Sequence, residues 1–334
     1  MINATRGPAT QLTMFDLHHA MNSAFAFIDR FRETGNNDNI SQAIFHFETA
    51  VSLFPPGSDI LPGIFHNLGN LYSICFKHTG DLQNIDHAIS YQQKAFESTP
   101  QPGYANTVNS FHLCLSNLYI DRFVCTGDLQ DIDYAISHFE SGFNFFKCIP
   151  SSHASLCSWY KNLGVSYLIR FNSTGNLQDI DCAISHLKSA MNSTPCSDPD
   201  LPSVLNSLGT SYAQRFLHTG DLQDINCAIS HQQSCVESLP SSHPNLLLWS
   251  SHLGILYSHQ FKHSGNIQDI DHAISYQQKA VKSTPSGNHN LLYALKNVRT
   301  LYLDHFIPYT SKPQDIDFAI SHQQKCAKPV EIRP

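Results

Sequence analysis

The chain has 334 residues, of which 41% are hydrophobic and only 14% charged, so it can bury a core and is not expected to be disordered as a whole. Its 20 Lys and Arg stand against 27 Asp and Glu, a net charge of -7 without runs of like charge, which argues against a nucleic-acid partner. It lacks the roughly 18 consecutive apolar residues of a membrane span, and its start, "MINATRGPATQLTMFD", has no apolar leader core.

Ten cysteines are scattered with no Cys-x-x-Cys pair. Without a leader they read as reduced thiols, and a cytoplasmic location, or a nuclear one, is expected. Residues 1–12 are expected to be a disordered N-terminal segment. From about residue 13 the chain repeats itself. The first copy of the repeated stretch is "TGNNDNISQAIF" from Thr34, and the second is "TGDLQNIDHAIS" from Thr79. Next come "TGDLQDIDYAIS" from Thr126, "TGNLQDIDCAIS" from Thr174 and "TGDLQDINCAIS" from Thr219. "SGNIQDIDHAIS" begins at Ser264, and a worn copy, "TSKPQDIDFAIS", at Thr310. The shared alanines are Ala43, Ala88, Ala135, Ala183, Ala228, Ala273 and Ala319, at spacings of 45, 47, 48, 45, 45 and 46 residues. Seven units at a near-constant period predict one solenoid over 13–328 rather than two domains. Its hairpins span about 13–57, 58–102, 103–152, 153–197, 198–242, 243–287 and 288–328, with a short tail at 329–334.

Each unit reads as two helices. In the second unit "LPGIFHNLGNLYSICF" places Leu61, Ile64, Leu68, Leu71, Tyr72 and Phe76 on one side of a first helix, A. Pro62 suits its first turn. Leu82, Ile85, Ala88, Ile89, Gln92 and Ala95 share one face of a second helix, B. Pro100, Pro195, Pro240 and Pro285 close helix B in their units. Between the helices, Gly127 and its equivalents fit the left-handed residue that ends helix A. Asp128 fits the N-cap of helix B, and Asp131 and Asp133 lie in first turns, where the helix dipole favours carboxylates. An EF-type calcium loop would need the glycine at its sixth position and a Glu at its twelfth. Here the glycine comes second at the latest and Ser137 ends the stretch.

Two rows of small residues run through helix B. The alanines above form one; Ala50, Ala95, Gly142, Ala190, Cys235, Ala280 and Cys326 form the other. Gly69, Gly164, Gly209 and Gly254 lie inside helix A, where a glycine costs about 1 kcal/mol relative to alanine, so a neighbouring helix is expected to pack close there. Phe31, Phe76, Phe123, Phe171, Phe216, Phe261 and Phe306 are expected core anchors at the end of helix A.

No metalloprotease, nucleophile-elbow or phosphate-loop motif occurs, and no enzyme activity, cofactor or metal is expected. A row of histidines, His46, His138, His186, His231 and His322, is completed by Tyr91 and Tyr276. Successive rungs are too far apart to share a zinc at about 2.1 Å, so they read as polar positions of amphipathic helices. A second row, His87, Tyr134, Cys182, Cys227, His272 and Phe318, varies too freely for shared chemistry.

"NLGNLY", followed by Ala88, Ala95 and Pro100, resembles the tetratricopeptide repeat, whose unit is 34 residues against 45–48 here. Helices about a turn longer absorb the difference. The Gly-(Asp/Asn)-Leu-Gln-Asp-Ile-Asp-x-Ala-Ile-Ser signature is similar to repeat arrays of basidiomycete fungi that often precede a caspase-like CHAT protease domain. Only "PVEIRP" follows Lys328, so no such domain is expected in this chain. The resemblance implies an all-α, right-handed superhelical solenoid of seven antiparallel helix pairs. It also implies a non-catalytic scaffold that binds a protein or peptide on a concave face lined by helix A. Carried over by register, that face contains His66, Asn67, Asn70, Lys161, Asn162, Asn206, Thr210, Ser251, His252, Lys296 and Asn297. The Lys–Asn pairs partly resemble a clamp for a C-terminal carboxylate, but Val165 and Thr300 stand where its second asparagine belongs. Two other readings are a regulatory or sensor arm serving a separately encoded effector such as a caspase-like protease, and a shortened gene copy. The last unit, with Arg299 for the helix glycine and Ser311 for the turn glycine, is expected to fray and to promote self-association.

Overall fold

The computed structural model describes residues 14–99, 105–147, 153–240, 242–282 and 290–305, with the isolated helical positions 317, 320 and 321. Among these residues all regular structure is helical, in the order α1 (Met14–Thr34), α2 (Asn37–Leu53), α3 (Leu61–Thr79), α4 (Leu82–Glu97), α5 (Ala105–Thr126) and α6 (Leu129–Lys147). Then follow α7 (His153–Thr174), α8 (Leu177–Ser193), α9 (Leu201–Thr219), α10 (Leu222–Glu237), α11 (Leu246–Ser264), α12 (Ile267–Lys282) and α13 (Asn290–His305). Odd-numbered helices are the A helices and even-numbered ones the B helices. The chain divides into two compact units, Met1–Ser151 and Ser152–Pro334. The division falls beside the boundary between the third and fourth repeats. Within each unit every B helix packs on its own A helix and on the A helix of the next hairpin. The termini at 1–12 and 329–334, Phe306, Ser311, Ala319, His322 and Cys326 lie outside the described residues, so the fraying expectation does too.

The Thr-Gly-Asp turn works as its chemistry predicts. Gly80, Gly127, Gly175, Gly220 and Gly265 hold φ between 67° and 73°, and each N–H donates to the carbonyl of the phenylalanine four residues back at 2.7–2.8 Å. The next side chain caps helix B: Asp128 Oδ1 accepts from the Gln130 N–H at 3.0 Å, and Asp81, Asn176, Asp221 and Asn266 do the same. The threonine has a role as well. Thr126 Oγ1 donates to the Arg122 carbonyl at 2.9 Å and accepts the Asp128 N–H at 3.2 Å, linking both helix ends.

The small rows pack as expected. Ala43, Ala88, Ala135, Ala183, Ala228 and Ala273 are fully buried. A Cβ on Gly164 would come within 2.7 Å of Leu187 Cγ and 3.1 Å of the Ala183 carbonyl, so glycine sets how closely α7 approaches α8. Gly209 and Gly254 meet the Ala228 and Ala273 carbonyls in the same way.

Asp131, expected only to favour the helix dipole, is buried and held by a bidentate guanidinium. Arg122 Nε and Nη2 reach its oxygens at 3.0 and 2.6 Å. Arg122 Nη1 crosses to Asp86 of the preceding B helix at 2.7 Å, joining hairpins. Arg215 repeats the arrangement with Asp224 and Asp181. The two carboxylates beside each guanidinium raise its already high pKa further. Between α10 and α11 an amide pair takes over the link, Gln260 Nε2 to Asn226 Oδ1 at 2.8 Å. Asn39 and Asn84, which replace the buried acid, are served by threonine hydroxyls instead.

Candidate binding face on the A helices

The histidine–tyrosine row on the B helices is aromatic packing rather than a set of solvated polar positions. Among the described residues, each ring of the row lies half-buried, and it stacks nearly parallel to an A-helix ring of its own hairpin. Tyr119 and His138 stack at 5.8 Å and 13°, Tyr167 and His186 at 5.7 Å and 9°, and Tyr257 and Tyr276 at 5.8 Å and 6°. Arg122, Arg170 and Arg215 lie over the rings of Tyr119, Tyr167 and Tyr212 at 5.2–5.5 Å. The tyrosine hydroxyl then reaches the preceding hairpin: Tyr72 donates to Glu48, and Tyr119 accepts from Gln93. Beside Glu48, burial and the carboxylate raise the Tyr72 hydroxyl, and Tyr91 is pushed up to about 12.

His112, which the sequence did not single out, lies with Nδ1 3.0 Å from Nδ1 of His138. One ring donates and the other accepts, so the pair requires at least one neutral imidazole. Burial, reinforced by His138, lowers His112 to about 4, and burial lowers His138 as well. Among the described residues no group of three or more His, Cys, Asp or Glu side chains is arranged to hold a metal ion. Cys235 is buried, pushed up to about 12 by desolvation, and donates to the Pro202 carbonyl, so it behaves as a small core residue.

The A-helix residues marked by register fall into different environments. In the second hairpin His66 Nδ1 lies 3.0 Å from Gln92 Oε1, Asn70 Nδ2 lies 3.1 Å from His66 Nε2, and Gln92 Nε2 donates to Asn70 Oδ1 at 3.0 Å. Three polar side chains satisfy one another there, and Gln92 is fully buried. Asn206 accepts from the buried Gln232, and Ser251, itself buried, donates to the buried Gln277. Lys161 Nζ is engaged by Asp200 at 3.0 Å, which weakens its suitability as a carboxylate receptor. Asn67 and Asn162 are half-buried, and Lys296 is exposed. Asn297 Nδ2 is buried without a hydrogen-bond partner.

Thr210 and His252 come together. They line an open cleft of about 160 Å³ between α9 and α11. Ala213, Gln214 and Leu217 of α9 and Ile255 and His259 of α11 complete its walls, and α10 contributes Ile225 and the buried Gln232. Register reasoning missed Gln214, Leu217 and His259 because they lie one to two turns beyond the Leu-Gly pair. Burial lowers the pKa of His252, and burial with the nearby Lys262 and His263 lowers that of His259.

The described structure is an all-α helical-hairpin repeat protein of tetratricopeptide-like kind. No family model matches the chain, and no curated protein matches it. Among solved structures, the apo form of RapI superposes with a TM-score of 0.55 at 16% identity, covering 93% of this chain and 98% of that one. That likeness extends to the fold alone. A putative kinesin light chain of Podosopora anserina with nearly identical TPR-like repeats gives 0.48 at 13% identity over 68% of this chain and all of that one. The Cut9–Hcn1 assembly of APC/C gives 0.47 at 15% identity over 87% of this chain and 48% of that one.

Proposed function

We propose that the chain is a non-catalytic scaffold that holds a protein or peptide segment against its A helices, the face that is concave in arrays of this kind. The observation that supports this most is the solvent-open cleft between α9 and α11. Hairpins are joined by the Arg–Asp and tyrosine contacts, while this side keeps polar groups beside an apolar hollow. Asn67, Asn162 and Lys296 extend the same register with groups that suit a peptide backbone or carboxylate. The test is to select peptides for the full chain from a displayed random library and measure their affinity. A triple Asn67→Ala, Asn162→Ala, Lys296→Ala variant should bind them at least about tenfold more weakly, the loss expected from one or two removed hydrogen bonds. Unchanged affinity for every selected peptide would reject Asn67, Asn162 and Lys296 as part of the binding face.

A further inference from the structure

We infer that the α9/α11 cleft is a socket for one uncharged, benzene-sized side chain, leucine or phenylalanine, of a partner segment. The inference rests on the A-helix reading above and names what that face would take at this place. Size is the first argument. At about 160 Å³ the cleft matches apolar cavities of about 150 Å³ that accept benzene.

Charge is the second argument. On a chain of net charge -7, the cleft is lined by no Asp, Glu, Lys or Arg. Its two titratable groups, His252 and His259, sit where burial disfavours their cationic forms. A charged side chain entering there would lose water and find no counter-charge, whereas an apolar one would gain contact with Ala213, Ile225 and Ile255.

The third argument is hydrogen-bonding capacity. Thr210, Gln214 and His252 line the cleft, and their side chains make no hydrogen bond among the described residues. The equivalent corner of the second hairpin is closed by the His66–Asn70–Gln92 contacts. Three open groups around an apolar hollow can hold the backbone amides on either side of an inserted side chain.

The test uses the full chain with labelled isoleucine and leucine methyls and three capped pentapeptides: four alanines around a central Phe, a central Lys, or a fifth Ala. The Phe peptide should shift the Ile225, Ile255 and Leu217 methyls; the Lys and Ala peptides should not at the same concentrations. Ala213→Phe fills the hollow from α9 and should weaken the Phe peptide at least about tenfold. Gln214→Trp, at the rim, is the second variant should the first fail to fold, and should act in the same direction. Equal shifts from all three peptides, no shift from any, or full affinity in the folded variant would overturn the socket. Library-selected peptides that still lose affinity in the Asn67, Asn162, Lys296 variant would then leave the scaffold reading standing without it.

Discussion

Equivalent A-helix positions are closed in one hairpin and partly open in another. In the second hairpin, His66 and Asn70 bond to each other and to Gln92, so the polar groups serve the fold. Three hairpins later Asn206, the equivalent of His66, still bonds to the buried Gln232, but Thr210, the equivalent of Asn70, and Gln214 face a hollow beside His252 of α11 and make no such bonds. A repeat keeps its backbone and its joints while its polar side chains are either drawn inward or left to a ligand. The difference lies at one position: asparagine at 70 reaches the buried glutamine of helix B, and threonine at 210 does not.

Substitutions can break that comparison. Arg122→Met and Arg215→Met remove the partner of a buried aspartate in each region. Both should cost about 3–5 kcal/mol in urea unfolding, the range for an uncompensated buried charge. Unequal costs would mean that the regions differ in their joints as well as on their faces. Gln92→Ala should cost about 2–4 kcal/mol, because it opens a cavity and strands His66 and Asn70. Thr210→Val and Gln214→Leu should stay within about 0.5 kcal/mol, since nothing in the fold depends on them. A large loss from either would close the comparison.

Acid provides a third test. Unfolded histidine titrates near 6.5, while His112 stays neutral in the fold down to about 4. Between those values the unfolded chain binds more protons, so stability is complete above about pH 6.5 and falls as pH drops towards 4. Discounted for solvent contact, the His112–His138 pair should account for roughly 1–2 kcal/mol. His112→Phe, matching Phe65 one hairpin earlier, should flatten that part of the pH profile. A gain rather than a loss is expected at Asn109, whose amide oxygen and nitrogen are both buried without partners. Asn109→Leu, the residue found at the equivalent position 247, should raise stability by about 1 kcal/mol in the same unfolding assay.

The period, turn chemistry and close helix approach were legible because each depends on neighbours in sequence: Gly127 with Asp128, or Gly164 three residues before Tyr167. The joints were not, because Arg122 meets Asp131 nine residues later across a turn and Asp86 on another hairpin. Only a partial signal existed: Arg122, Arg170 and Arg215 occur where the third residue of helix B is aspartate, but Arg30 stands where it is Asn39 and Gln260 where it is Asp269. The ring row was visible as a pattern but misread as polar, since alternation of His and Tyr does not reveal the tyrosine stacked beneath. For the candidate site, register marked positions on α9 and α11, and two of them, Thr210 and His252, line the cleft. It could not tell that Ser251 is buried or that Asp200 takes Lys161.

The amide link between Gln260 and Asn226 gives one seam of the array a different character from its ionic counterparts. Added electrolyte weakens partly exposed ion pairs and leaves neutral amide contacts almost untouched. Stretched in concentrated salt, the array would therefore slacken at the α4/α5 and α8/α9 seams while the α10/α11 seam kept its grip, so the brine-resistant seam is the one beside the open cleft.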